Sequence, residues 1–220
     1  MDIKITASII CADYANMSRE IGELNSSGVY AVHHDIMDGV FVPNITHGPD
    51  FVKSLRPLTK LVFDTHLMII NPEKYIKSFA EAGSDIITVH FETCRKIPAT
   101  IKLIRECGAK AMIAVNPETK IEKVFPFLDI VDGILVMSVH PGFAGQKFIP
   151  EVLPKARKLK ETIDRKNLNI DIQIDGGINP ENIKDAVDAG VNFMVIGNAL
   201  FTRRPLAEAV RIFNSAAKGK

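Results

Sequence analysis

Four side chains with metal-ligating chemistry stand at the ends of three apolar runs. His33 and Asp35 follow Val29-Tyr30-Ala31-Val32, His66 sits in Asp64-Thr65-His66-Leu67-Met68, and Asp175 closes Gln173-Ile174-Asp175. Read as β-strands, such runs send residues two apart to the same face. His33, Asp35 and Met37 then project together, and so do His66 and Met68. An imidazole beside a carboxylate is half of a metal site, and all four residues make a two-nitrogen, two-carboxylate set. That set suits one divalent ion, Zn²⁺ first, with Fe²⁺, Mn²⁺, Co²⁺ or Mg²⁺ as alternatives. The competing reading is four unrelated polar residues, each hydrogen-bonded locally.

A second chemistry is anion binding. Gly142-Phe143-Ala144-Gly145-Gln146, Gly176-Gly177 and Gly197-Asn198 are segments of small residues, each directly after an apolar run. Small residues let backbone N–H groups close on a phosphate, and a following helix adds a favourable dipole. Met37, Met68 and Met137 end three of the runs and suit a polarizable apolar lid over the site. Core filling is the plainer role for any one of them. His34 points the opposite way from His33 and reads as structural, His90 and His140 end two further runs without an assigned role, and Arg203-Arg204 reads as a solvated surface pair.

These residues need a frame that brings distant strand ends together. Strands are expected at Ile3–Ile10, around His33 and Asp35, at Leu61–Met68, Asp85–His90, Lys110–Val115, Gly133–Val139, Ile170–Asp175 and Phe193–Gly197. Helical patterns alternate with them: Asp13–Asn25, Asp50–Leu55, from Pro72 to Ala82, Ile97–Cys107, Ile121–Phe127, Pro150–Arg165, Pro180–Ala189 and Pro205–Ala217. Gly28, Gly83, Gly108 and Gly190 mark the hand-over from helix to strand, where a left-handed residue is commonly needed. The strands read as continuous apolar runs, as in a parallel sheet covered by helices. Eight right-handed strand–helix units close into a (β/α)₈ TIM barrel spanning residues 1–220 as a single domain. An open doubly wound sheet is the alternative, and no GxGxxG follows the first strand.

In such a barrel the chemistry sits at the C-terminal strand ends, where Ser8, His33, Asp35, His66 and Asp175 all fall. The loops after strands seven and eight are its recurrent phosphate site. Asp35 and Asp175, on strands two and seven, would flank a bound substrate. One carboxylate removes a proton from one face of a carbon next to a carbonyl, and the other returns a proton to the opposite face. A metal on the neighbouring oxygens stabilises the enediolate between the two steps.

Bulk properties narrow the setting. The 220 residues carry 27 Lys and Arg against 26 Asp and Glu, a balance that gives no basic surface for nucleic acid or an anionic membrane. No apolar run approaches the roughly 20 residues that span a bilayer. The start, Met1-Asp2-Ile3-Lys4, does not read as a signal peptide. Cys11, Cys94 and Cys107 are scattered, which favours a reducing, cytoplasmic setting over a disulfide framework.

The motifs together resemble the ribulose-phosphate 3-epimerase family. The matching stretches are Ser8-Ile9-Ile10-Cys11-Ala12-Asp13, His33-His34-Asp35-Ile36-Met37-Asp38-Gly39, Phe41-Val42-Pro43-Asn44-Ile45-Thr46 and Asp64-Thr65-His66-Leu67-Met68. Further on come Met137-Ser138-Val139-His140-Pro141-Gly142-Phe143-Ala144-Gly145-Gln146 and Asp175-Gly176-Gly177-Ile178. The resemblance implies a barrel of the ribulose-phosphate-binding type that interconverts D-ribulose 5-phosphate and D-xylulose 5-phosphate in the pentose phosphate pathway. It implies metal ligation by His33, Asp35, His66 and Asp175, commonly of zinc or iron. It also implies acid/base roles for Asp35 and Asp175, a substrate contact from Ser8 and phosphate binding by the glycine-rich segments; His66 and the three methionines are expected to contact the substrate as well. A homo-oligomer, dimer or hexamer, is the implied assembly.

Departures from the family pattern are Ala7, His34, Ala144 and Asn198. Ala144 is similar to the D-allulose-6-phosphate 3-epimerases, which do the same chemistry on a six-carbon ketose phosphate; Asn44-Ile45-Thr46 and Asp175-Gly176-Gly177 look more like the pentose enzymes. A barrel lyase related to hexulose-phosphate synthase is disfavoured, because Met37 stands where that group carries lysine. A non-catalytic sugar-phosphate binder is the remaining alternative, and it leaves two opposed aspartates without a role.

Overall fold

Each of the eight apolar runs forms a strand, and the strands close on themselves. The structure, a computed structural model, describes residues 3–220. The strands are β1 (Lys4–Ser8), β2 (Ala31–Met37), β3 (Val62–Met68), β4 (Ile86–His90), β5 (Lys110–Val115), β6 (Gly133–Met137), β7 (Asp171–Asp175) and β8 (Phe193–Ile196). All pair in parallel with their sequence neighbours, and β8 pairs with β1 to complete the barrel. The helices are α1 (Met17–Ser27), α2 (Pro49–Leu55), α3 (Ile76–Glu81), α4 (Ile97–Glu106), α5 (Leu153–Arg165), α6 (Ile183–Asp188), α7 (Asn198–Phe201) and α8 (Leu206–Ala217).

The ends of several elements differ from the sequence expectation, for local reasons. Ile9–Cys11 leaves β1 as a 3₁₀ turn, so the first strand stops at Ser8. The fifth crossover, Ile121–Ile130, is a 3₁₀ segment throughout, not an α-helix. Pro126 lies within it, and proline lacks the N–H and crowds the carbonyl four residues back. The sixth strand ends at Met137 rather than Val139, and the short helix α7 after β8 was not expected. The four hand-over glycines all have positive φ, as the pattern required.

Two packing layers hold the frame. Outward-facing strand residues such as Val32, Phe63, Leu67 and Ile87 meet helix residues such as Leu24, Phe79, Ile101 and Phe213 in one continuous core. Inside the barrel, Ala31, Ile86, Met112 and Phe193 fill the base. Lys4 closes that base, with its ammonium over the Tyr30 and Phe193 rings and 2.6 Å from Asp171 Oδ2. Above the apolar base the interior turns polar, with Thr6, His33, Asp64, Thr88 and Gln173 all fully buried.

Phe213 anchors α8 from within the main core. Phe213→Ala is expected to cost about 3–5 kcal/mol in chemical denaturation, because the neighbouring helices cannot collapse into the void. A loss below about 1 kcal/mol would show that α8 contributes little to the closed frame.

Candidate active site

Parallel register puts the chemistry-bearing residues level with one another. Asp35 on β2 pairs with His66 on β3, and His33 pairs with Asp64. Ser8 on β1 pairs with His33, and Met137 on β6 pairs with Asp175 on β7. One ligand atom from each of His33, Asp35, His66 and Asp175 lies within 4.8 Å of all the others. His33 Nε2 is 3.4 Å from Asp35 Oδ1 and 4.0 Å from Asp175 Oδ2. His66 Nδ1 is 3.7 Å and 3.8 Å from the same two oxygens. The Ser8 hydroxyl donates to Asp35 Oδ2 at 2.6 Å.

The proton positions on both imidazoles follow from their outer neighbours. His90 Nδ1 lies 3.1 Å from Glu92 Oε2, so a neutral His90 donates there and keeps its lone pair on Nε2. That Nε2 is 2.8 Å from His66 Nε2, which must then be the donor. His66 Nδ1 is left with a lone pair aimed at the two aspartates. His33 Nδ1 donates to Asp64 Oδ2 at 2.8 Å, so in the neutral ring Nε2 carries the lone pair, and a second proton on His33 sits at Nε2, where a cation would replace it. Both inward nitrogens, His33 Nε2 and His66 Nδ1, are buried without a hydrogen-bond partner among the described residues. Two orphaned imidazole nitrogens facing two carboxylate oxygens fit a divalent cation, and the donor set is one that zinc accepts.

Burial opposes charge on every member of the cluster, and the outcomes differ with the neighbours. Burial would raise the Asp35 carboxyl, but the neighbouring His33 holds it well below the ordinary carboxylate range. Burial and the Asp35 charge push Asp175 up to about 7. Burial works against a charged His33, yet Asp35 and Asp64 raise it well above the ordinary imidazole value. His66 is lowered to about 4, chiefly by burial, so it is neutral near pH 7. Glu92 resists burial through His90, the Thr119 hydroxyl and the Asn116 N–H, and falls to about 2.

Above the cluster opens a cavity of about 200 Å³. Ser8, Asp35, Met37, Met68, Met137, Gly142, Phe143, Ala144, Gly145, Asp175, Gly176, Gly177, Gly197 and Asn198 line it. His66 does not: fully buried behind Asp35, it supports the floor without reaching the cavity. Gly177 is demanded by the fold as much as by any ligand. Its φ is +67°, and a Cβ there would meet the backbone nitrogen of Phe148 at 2.4 Å.

Sequence reading missed Asp64, Gln173 and the role of His90 and Glu92. The signal was present, since Asp64 and Gln173 each lie two residues before a cluster member on the same face. His34 packs against Phe63, with ring centroids 4.6 Å apart, in the layer outside the barrel as expected. His140 is exposed beside Glu118, away from the cluster. Arg204 pairs with the buried Glu20 at 2.5 Å and with Glu23, so it ties the start of α8 to α1 instead of being merely solvated. No helix among the described residues is long and apolar enough to cross a membrane.

Fold and site together define a (β/α)₈ barrel enzyme built around paired carboxylates and a metal-competent pocket. A model of the ribulose-phosphate 3 epimerase family matches residues 4–201. The chain is 46% identical over 211 residues to a ribulose-phosphate 3-epimerase of Synechocystis sp., covering 95% of this chain and 92% of that protein. It is 43% identical over 209 residues to a ribulose-phosphate 3-epimerase of Bacillus subtilis, covering 94% and 96%. The chain belongs to the ribulose-phosphate 3-epimerase family. Among solved structures, KGPDC from Streptococcus mutans is similar at a TM-score of 0.73 and 14% identity, covering 100% of this chain and 99% of that one. A 3-hexulose-6-phosphate synthase reaches 0.68 at 14% identity, covering 97% and 99%. At such identity these two show the shared barrel alone.

Without metal, His33 and part of the Asp175 population hold protons near pH 7, because both groups are raised. Zinc binding is therefore expected to release roughly one to two protons, and affinity is expected to rise with pH. Calorimetry in buffers of different ionisation enthalpy reads the number directly. Binding without proton release would mean that the metal goes elsewhere.

Proposed function

We propose that this chain inverts C3 of a ketose phosphate, interconverting D-ribulose 5-phosphate and D-xylulose 5-phosphate, with Asp35 and Asp175 as the acid/base pair. The observation that carries the reading is the convergence of these two carboxylates, from strands β2 and β7, on the floor of one cavity. They start from opposite protonation tendencies, Asp35 held ionised and Asp175 raised to about 7. One accepts the C3 proton from one face while the other supplies a proton to the opposite face. After one turnover the roles are reversed, which is what a reversible inversion needs.

His33, Asp35, His66 and Asp175 would hold a divalent ion, zinc in the first instance. Bound there, such an ion supplies a Lewis acid beside the substrate oxygens adjacent to C3, offsetting the negative charge that develops when the proton leaves. Ser8 orients Asp35 through its 2.6 Å hydrogen bond. Met37 and Met68, packed with Val42, Ile10 and Phe41, keep water from the carbon that loses its proton. Gly177, Gly197 and Asn198 offer backbone N–H groups to the phosphate at the far wall of the cavity. No lysine lines the cavity among the described residues, which disfavours a lyase that relies on one. The three free cysteines, Cys11, Cys94 and Cys107, suit a reducing cytoplasm.

Asp35→Asn and Asp175→Asn are each expected to lower kcat by about 10³-fold or more while thermal unfolding stays cooperative. Solvent deuterium is expected to enter C3 during turnover by the wild type, and neither variant should sustain both exchange and inversion. Near-normal inversion by either variant would refute the two-carboxylate mechanism.

Substrate length is tested on one zinc-loaded preparation by comparing kcat/KM for D-ribulose 5-phosphate and D-allulose 6-phosphate. The pentose is expected to be preferred by at least about tenfold, a difference of about 1.4 kcal/mol in transition-state binding. A hexose preference would keep every residue role and change the substrate.

A further inference from the structure

Directly beneath the cluster, Gln173 on β7 donates its side-chain N–H to Asp64 Oδ2 on β3 at 2.6 Å. In a closed ring of eight strands, β3 and β7 are four places apart in either direction, so this bond crosses the barrel. The same Asp64 oxygen accepts from His33 Nδ1 on β2 at 2.8 Å. Gln173, Asp64 and His33 thus form a continuous polar bar through the interior, with all three side chains fully buried.

The ends of the bar lie directly below the two carboxylates. Gln173 is two residues before Asp175, and His33 is two residues before Asp35, each on the same inward face. That spacing is about 6.6 Å along a parallel strand. Asp64 is likewise two residues before His66. Sheet hydrogen bonds connect β2 to β7 through β1 and β8 on one side and through β3 to β6 on the other, so the bar, which crosses the interior, is the most direct link between the two carboxylate-bearing strands.

Stability alone does not call for such a group. The layer below is filled by Ala31, Ile86, Met112 and Phe193, and a buried carboxylate pays a desolvation cost that apolar packing avoids. The bar is also under-saturated, since Asp64 Oδ1 and Gln173 Oε1 have no partner among the described residues.

We propose that Gln173 is a positioning residue that, through Asp64 and His33, sets the separation of Asp35 and Asp175 and the aim of His33 at the bound cation. The inference rests on the metal-dependent inversion proposed above. Only the amide nitrogen can serve Asp64, because the carboxylate accepts and does not donate. Loss of that donor frees β7 to settle relative to β2 and β3, and the four ligand positions no longer match one ion. Partners that orient metal-ligating side chains typically account for 10–100-fold in affinity or activity.

Two variants test this. Gln173→Met keeps the length and removes the donor, whereas Gln173→Asn keeps the amide and withdraws it by one methylene. Zinc affinity by chelator competition, the visible spectrum of the Co²⁺-loaded protein, and kcat and KM for D-ribulose 5-phosphate are measured beside thermal melting of the metal-free form. Each variant that folds is expected to lose 10–100-fold in zinc affinity, to show an altered Co²⁺ spectrum and to lose kcat at nearly unchanged KM. A folded variant with wild-type zinc affinity, Co²⁺ spectrum and kcat overturns the proposal, even if its melting temperature falls, because the bar would then serve stability alone. Wild-type protein that neither binds zinc nor inverts C3 would overturn the function itself and this inference with it. Wild-type activity alongside indifferent variants would overturn only the role of Gln173.

Discussion

A carboxylate that keeps its charge at 5% exposure is the constraint on which the site depends. Two imidazoles and the Ser8 hydroxyl stand around Asp35, and of these the raised His33 and the hydroxyl turn protons toward it. Each of those imidazoles is itself fully buried and needs a partner of its own. His33 takes Asp64, His66 takes His90, and His90 takes Glu92. One branch of the polar core passes outward from His66 until it reaches groups that water can touch, whereas the other runs from His33 to the fully buried Asp64 and Gln173. Glu92 is the point of exit, held by the Asn116 N–H and the Thr119 hydroxyl at the β5 loop.

The same burial separates the two aspartates. Asp35 meets both histidines closely and stays low, while Asp175, facing the Asp35 charge, rises. Two carboxylates of identical chemistry acquire different proton affinities from position alone, a general way for a site to assemble an acid and a base from one residue type. A parallel barrel is well suited to this. Its strands present same-face residues at regular heights, so ligands, their supports and the apolar base stack as successive layers. The apolar base formed by Ala31, Ile86, Met112 and Phe193, with Lys4 closing it, keeps solvent from reaching the polar layer from below.

Much of this could be read before any coordinates. Period-two spacing put His33 with Asp35 and His66 with Met68, and the alternation of apolar runs with helical patterns implied the barrel. The loop glycines announced the cavity wall, although at Gly177 the approach of the Phe148 backbone explains the residue equally well. The misreadings were local. Pro126 turned an expected α-helix into a 3₁₀ segment, the 3₁₀ turn Ile9–Cys11 ended β1 at Ser8, and β6 stopped at Met137, level with the end of β7 at Asp175.

What the sequence by itself determined was which residues share a face and in which direction the chain winds. Those properties follow from side-chain alternation and from chirality, which are local. Only the tertiary structure decided which residues meet. Asp64 reaching Gln173 across the barrel, His90 behind His66, and Arg204 on the buried Glu20 all join segments far apart in the chain. Such pairings depend on the stagger of the closed sheet and on the depth of each side chain within it. No local pattern carries that information, because it arises only when β8 returns to β1 and the interior acquires a fixed diameter.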